Sequence, residues 1–257
     1  MKRNLSAITG AVSIAVLAAA FGLSHSAWAQ GGSNAQLQAD VQHSLDNKRF
    51  GGVQVVVRGD VVVLNGEVAS LADKLDAEKK AQRTKHVASV EDNLRVAAGE
   101  RVNDAELQAK LSKALVYDRN GYGTTTFNAI TLEVHNGVAT IGGMVVEPAD
   151  KASAISLITN AKGVQGLVDN LKVAPLSDFD NRIRLQEARA IYGASQLNRY
   201  AMDPAKPIRI AVENGHVTLV GTVDSEADRN VAGIMANGVS GVFSVKNDLQ
   251  VAGRNER

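Results

Sequence analysis

The 257-residue chain has no cysteine, four prolines and only 4% aromatic residues. Without cysteine it forms no disulfide, no thiolate metal site, no cysteine nucleophile and no lipid-modified cysteine. It also lacks an excess of either charge: 28 Lys and Arg stand against 27 Asp and Glu, a net of +1. Nucleic-acid binding, which needs a basic face to displace counterions, is therefore not expected. The five histidines form no His-Glu-x-x-His or His-x-x-x-His pattern, and no Gly-x-Ser-x-Gly elbow or phosphate loop occurs. A catalytic site needs a nucleophile or base with a group to orient it. No enzyme activity, metal or cofactor is expected. What the chain does have is an ordinary hydrophobic fraction, 45%, which suits a packed core and not a disordered chain.

Lys2 and Arg3 precede an uncharged stretch from Leu5 to Leu23, and Ala27-Trp28-Ala29 follows as a small-x-small site. That order is a secretory signal. Its unbroken apolar part, Ala11 to Phe21, is shorter than the roughly 20 residues that span a bilayer. Cleavage after Ala29 and export to the periplasm are expected. Removing 29 residues with two cations leaves 228 residues of net charge −1.

The rest is one unit written three times. Val53–Val96, Ile130–Val173 and Ile208–Val251 align without a gap. Nine columns are identical in all three, in the first copy Val57, Gly66, Val68, Ala72, Asp73, Ala77, Val87, Leu94 and Val96. Each block opens with alternating β-branched residues, such as Val53, Val55 and Val57, a half-buried strand. Gly59-Asp60, Asn136-Gly137 or Asn214-Gly215 then supplies a hairpin turn, and Val61–Val68, Val138–Val145 or His216–Val223 a second strand. Gly66, Gly143 and Gly221 recur inside that strand and predict a bulge or a close backbone approach. Ser70 with Asp73 and Ser225 with Asp228 are capping boxes; the middle copy has Pro148 at the first helical position, with Asp150 in the same column. Capping accounts for Asp73, Asp150 and Asp228. The second helices are expected to end near His86, Gly163 and Gly241, before a last strand carrying Leu94, Leu171 or Leu249.

A helix precedes each block. Leu37, Val41 and Leu45 form one apolar stripe and match Leu107, Leu111 and Leu115. In the third copy Leu185, Ala188 and Tyr192 read as a weaker version. The fold class is α+β: three tandem αββαβ units, each a small three-stranded mixed sheet packed under two helices. The expected divisions are a signal over 1–29 and units over 30–99, 100–176 and 177–257.

Two phrases, Val217-Thr-Leu-Val-Gly221-Thr-Val and Gly241-Val-Phe-Ser-Val-Lys-Asn-Asp-Leu-Gln-Val251, resemble the BON (bacterial OsmY and nodulation) domain family. The second copy fits nearly as well, and the first departs by placing His86 where the others have Gly. The resemblance implies a non-enzymatic, osmotically inducible periplasmic protein that contacts anionic phospholipid at a membrane surface, or other envelope proteins. Two further functions fit the same sequence: a structural module that assembles into a ring or other oligomer, and a holdase-like chaperone.

One local feature has no counterpart in the other copies. The second helix of the first copy carries Lys79, Lys80, Arg83 and Lys85. Lys80 shares a column with Leu157 and Met235, where a core side chain is expected, and Asp76 lies one turn before it, in pairing range. The alternatives are a solvated helix face and a patch for anionic lipid head groups.

Overall fold

The computed structural model describes residues 26–97, 103–117, 125–203 and 207–253, with the backbone alone for 26–32. Most of the expected signal, residues 1–25, lies outside the described residues. The first unit runs α1 (Ser26–Ser44), β1 (Val53–Arg58), β2 (Val61–Val68), α2 (Leu71–Gln82) and β3 (Ser89–Val96). The second runs α3 (Asp104–Tyr117), β4 (Ala129–His135), β5 (Val138–Val145), α4 (Pro148–Thr159) and a last strand in two pieces, β6 (Gly166–Asp169) and β7 (Lys172–Val173). The third has α5 (Asp178–Gly193), a short α6 (Arg199–Met202), β8 (Arg209–Glu213), β9 (His216–Val223), α7 (Glu226–Asn237) and β10 (Ser244–Val251).

In every sheet the second strand is central. It pairs antiparallel with the first strand of its hairpin and parallel with the last strand. The helix between them makes the crossover that a parallel pair requires. The turn carbonyl at Asp60, Gly137 or Gly215 accepts from the N–H of Ala88, Gln165 or Phe243, so each hairpin turn anchors the start of its last strand. At the far end Val68, Val145 and Val223 accept from Ala97, Ala174 and Ala252, each at 2.8 Å.

The turns follow their chemistry. Asn136-Gly137 and Asn214-Gly215 hold two positive φ values each, the type I′ pattern, whereas Gly59 alone is positive in the first unit, the type II′ pattern. Gly66, Gly143 and Gly221 have φ of +121°, +91° and +140°. A Cβ there would stand 2.0 Å from the Gly52 carbonyl oxygen, 2.0 Å from that of Ala129 and 2.6 Å from that of Pro207. The backbone at the start of the first strand closes against the central strand at this point, which leaves no room for a side chain.

The second helices stop earlier than expected, at Gln82, Thr159 and Asn237. His86, Gly163 and Gly241 instead end the turn that follows, in the left-handed region at φ +68°, +96° and +89°. Glycine suits this position, and His86 holds it at a steric cost.

The third unit's first helix also differs from expectation. Leu185 is exposed, and the buried stripe is Ile183, Glu187 and Ile191. Asp104 and Asp180 fix the alignment. Each carboxylate accepts from both amides of its unit's hairpin turn, Asn136 and Gly137 at 2.6 and 2.9 Å, Asn214 and Gly215 at 3.0 and 2.8 Å. Those bonds from Gly137 and Asn136 hold the Asp104 carboxyl below its usual range. With Asp180 opposite Asp104, Glu187 falls in the column of Val41 and Leu111. A glutamate in a core column hid the stripe.

One apolar cluster runs through units one and two, from Val41, Leu64 and Leu94 to Leu111, Ile141 and Leu171, and α2 packs against α4. Unit three has its own cluster around Ile191, Tyr200, Ile210 and Leu219. Phe127, just before β4, packs onto that cluster, and Arg209 donates to the Asn128 carbonyl at 3.0 Å, tying unit two to unit three. No helix among the described residues is long and apolar enough to cross a membrane.

Candidate functional site

The aspartate column does more than cap. Ser70 accepts from the Asp73 N–H at 3.1 Å and donates to its carboxylate at 2.8 Å; Ser225 and Asp228 repeat both distances. In the middle unit Glu147 gives no side-chain cap and Pro148 occupies the first turn. All three carboxylates also hold the link between first helix and first strand. Asp73 pairs with Arg49 at 3.5 Å, and Asp150 accepts from Asn128 at 3.0 Å.

Asp228 is the most elaborate. It is buried and accepts from Gln196 at 2.8 Å, Arg199 at 2.5 Å and Tyr200 at 2.9 Å as well as Ser225. Burial pushes its carboxyl up, but the hydrogen bonds from Gln196, Ser225 and Tyr200 and the Arg199 charge outweigh burial, and the net shift is downward. Tyr200 in turn accepts from the Asp224 N–H at 2.7 Å. The expectation that capping accounts for these acids is thus too narrow: the variable link in each unit carries the partner, and spacing within the repeated block could not reveal it.

A second fixed contact joins the second helix to the last strand. Lys74 donates to the Leu94 carbonyl at 2.6 Å, Lys151 to that of Leu171 at 2.5 Å, and Arg229 lies 3.4 Å from that of Asn247. Asp92, Asp169 and Asn247 each accept from the N–H two residues on, at 2.8, 3.0 and 3.3 Å. These basic residues are part of the fold and not of any free surface.

The basic end of α2 is different. Lys79, Arg83 and Lys85 are exposed and Lys80 is half-buried. None of the four makes an ion pair among the described residues. Arg83 caps the helix, its N–H donating to the Lys79 carbonyl at 3.2 Å, so these two side chains lie one turn apart. Asp76 pairs with Arg49 and not with Lys80. The column of Lys80 is also not a core column: Leu157 and Met235 are half-buried too. The Lys80 stem can lie along apolar surface with its ammonium in water, and the helix needs no rotation to wet it. Lys79 and Lys80 sit in the last turn, where cations also favour the helix dipole. The equivalents of Lys79 and Arg83 are Ser156 and Asn160, and Ile234 and Gly238, so the fold does not require charge here.

Beside this end lies an open groove of about 560 Å³, lined by Leu37, Asp40, Gly59, Asp60 and His86 among others. It occurs where the other units have the aspartate latch, since Asn34 replaces Asp104 and Asp180. Asp40 and Asp60 make it unsuited to an anion. The four histidines after the signal are scattered, and no group of three metal-ligating side chains is found among the described residues.

Apolar side chains are exposed at unit three. Phe179 at the start of α5 and Phe243 just before β10 have ring centroids 6.0 Å apart, with His216 6.0 Å from Phe243. Phe243 is 70% exposed. Position 243 is Ala88 and Gln165 in the other copies, so no repeated pattern pointed to it.

Comparison with known proteins agrees with the repeat. The chain is 29% identical over 181 residues to osmotically-inducible protein Y of Escherichia coli (strain K12), covering 68% of this chain and 86% of that protein. Among solved structures, CdsD, a structural protein of the type III secretion system of Chlamydia trachomatis, aligns at 17% identity over 84% of this chain and 92% of that one, with a TM-score of 0.24. Its C-terminal domain aligns at 18% identity over 83% and 96%, with a TM-score of 0.25. The BON domain profile matches three times, at residues 33–98, 103–175 and 194–253, each over one helix–hairpin–helix–strand unit or most of it, and on that match the chain belongs to the BON domain family.

Proposed function

We propose that the chain is a non-enzymatic protein of the bacterial cell envelope, exported by its N-terminal segment, that serves under osmotic stress by contacting anionic phospholipid through the end of α2. The relation to an osmotically inducible protein supports the first part. The single observation behind the second is the pair Lys79 and Arg83: exposed, one turn apart, without ion pairs among the described residues, and uncharged in both sibling helices. With the signal removed the net charge is −1, so attraction to an anionic surface must be local and not global. Each basic residue near such a surface adds about 1 kcal/mol, and two or three engage at once. Binding is therefore weak, reversible and lost in high salt as the Debye length shrinks.

Co-sedimentation with anionic and neutral vesicles tests this, comparing wild type with Lys79→Glu/Arg83→Glu. Wild type should favour anionic vesicles and the variant should not. Equal binding by both removes the patch from the reading. No binding by either favours a protein partner. A second reading, assembly into an oligomer, has one supporting observation, the exposed Phe179–Phe243 pair; light scattering of wild type against Phe243→Ser decides it.

A further inference from the structure

Glu187 is the one buried polar side chain among the described residues whose two oxygens find no hydrogen-bond partner. It has no exposed surface and sits between Ile183 and Ile191 on the face of α5 that packs on the sheet of unit three. Its column holds Val41 in α1 and Leu111 in α3, both buried. The fold therefore takes an aliphatic side chain here in two units and a carboxyl in the third.

The charged groups of the surrounding elements are committed elsewhere. On α5 itself, Arg184 donates to the Val212 carbonyl at 2.7 Å and to Asn181, and Asp180 holds the hairpin turn. On β8, Arg209 reaches Asn128, and Glu213 makes no bond to Glu187. On α7, Asp228 is filled by Gln196, Arg199, Tyr200 and Ser225, and Arg229 reaches Asn247 and, at 3.7 Å, Glu226. Tyr192 donates to the Ile208 carbonyl. His216 bonds Ser244. Arg182 and Arg189 of the same helix are exposed, and no cation among the described residues pairs with Glu187. A buried charge without a partner is far more costly than a buried neutral acid.

We propose that unit three is locked by a proton: α5 docks on its sheet with Glu187 neutral, and ionisation of that carboxyl releases α5 while units one and two stay closed. Release exposes Ile183 and Ile191 together with the sheet face of Ile210, Val212 and Leu219, an apolar groove. Units one and two lack the device because Val41 and Leu111 carry no proton.

The sign follows from the fold. Burial pushes the Glu187 carboxyl up to about 8, from 4.5 in an open chain. The closed form thus holds more protons than the open form between those values. Closure is favoured at acid pH and weakens as pH rises through that window. For a shift of this size the closed-to-open ratio of α5 falls on the order of several hundredfold between pH 5 and pH 9.

Amide exchange on the full chain without its signal, corrected for the intrinsic pH dependence of exchange, tests this. Protection of α5 should fall over that range by on the order of several hundredfold, while α1 and α3 change little. Glu187→Leu, the side chain of Leu111, should leave α5 protected and flat with pH. Should that variant pack poorly, Glu187→Gln has no proton to lose and should still be flat. Carboxyl carbon-13 chemical shifts should place the Glu187 titration well above those of the exposed glutamates. The proposal is overturned if wild-type α5 is flat, if Glu187→Gln keeps the slope, if all three first helices respond together, or if Glu187 titrates in the ordinary range.

Discussion

Units one and two share a continuous apolar core, whereas unit three keeps its own and buries three carboxyls, those of Asp180, Glu187 and Asp228. The three have one topology and nine identical columns, so the difference lies in what fills equivalent places. Val41 and Leu111 become Glu187. Phe50, which is buried in unit one, has its counterpart Phe127 turned toward the cluster of unit three. Arg49 and Asn128, which reach their aspartates from the link, become the Gln196, Arg199 and Tyr200 group around Asp228. A repeated backbone tolerates such exchanges because its register is set by the hairpin turn, the strand glycine and the turn before the last strand, not by every core side chain.

The largest effect expected on this comparison is at the strand glycines. Gly66→Val and Gly143→Val should each cost about 3 kcal/mol or more, since a Cβ would meet a backbone carbonyl at 2.0 Å on a left-handed residue. Gly221→Val should cost less, with the carbonyl at 2.6 Å. Denaturant melts of the three variants rank them, and equal losses would show that space is not what decides. Because units one and two share a core, Gly66→Val should also lower amide protection in unit two but not in unit three.

Next is the aspartate column. Asp228→Ala takes the buried acceptor from Tyr200, Gln196 and Ser225, leaves Arg199 only its pair with Asp224, and should cost about 3 kcal/mol. Asp73→Ala, at a wetter site with one arginine partner, should cost about 1 kcal/mol. Thermal melts that give the two the same loss would deny the hub its weight. The acid side distinguishes them as well. The Asp228 carboxyl is held below its ordinary 3.8, so its contribution is complete above that value and is lost as pH falls through the lower, folded value. Unit three should therefore loosen in strong acid through Asp228 and in alkali through Glu187, with its best stability between.

The smallest effect is at the turn that closes the second helix. His86→Gly in unit one should stabilise that unit by about 1 kcal/mol, as glycine enters the left-handed region without a steric penalty. The converse, Gly163→His, should destabilise unit two by a similar amount. Chemical denaturation of the pair checks both signs.

The repeat made the elements readable. Period-2 runs, Asn-Gly turns and the Ser-x-x-Asp phrase placed the strands and the starts of the second helices, because those signals act over a few residues. The second helices end four residues before the sequence signal, because a turn separates the last helical residue from the left-handed residue that marks it. The stripe of the first helix of unit three is hidden in the sequence because it contains Glu187, and an acid does not count as core in any hydrophobic pattern. Lys80 looked like a charge in a core position only because its siblings are apolar; the half-buried column lets any of the three side chains reach water.

The number of units, the order of elements in each and the glycine and aspartate columns are legible in the residues alone, since these depend on local backbone chemistry written three times. Packing across the chain settled the rest: the aspartates grip the variable links, units one and two merge their cores while unit three keeps a separate core that Phe127 reaches, and a carboxyl lies unpaired beneath α5. Those outcomes depend on which side chains meet across long separations. Burial, which no single residue carries in its name, then sets whether a charge is solvated, paired or held neutral.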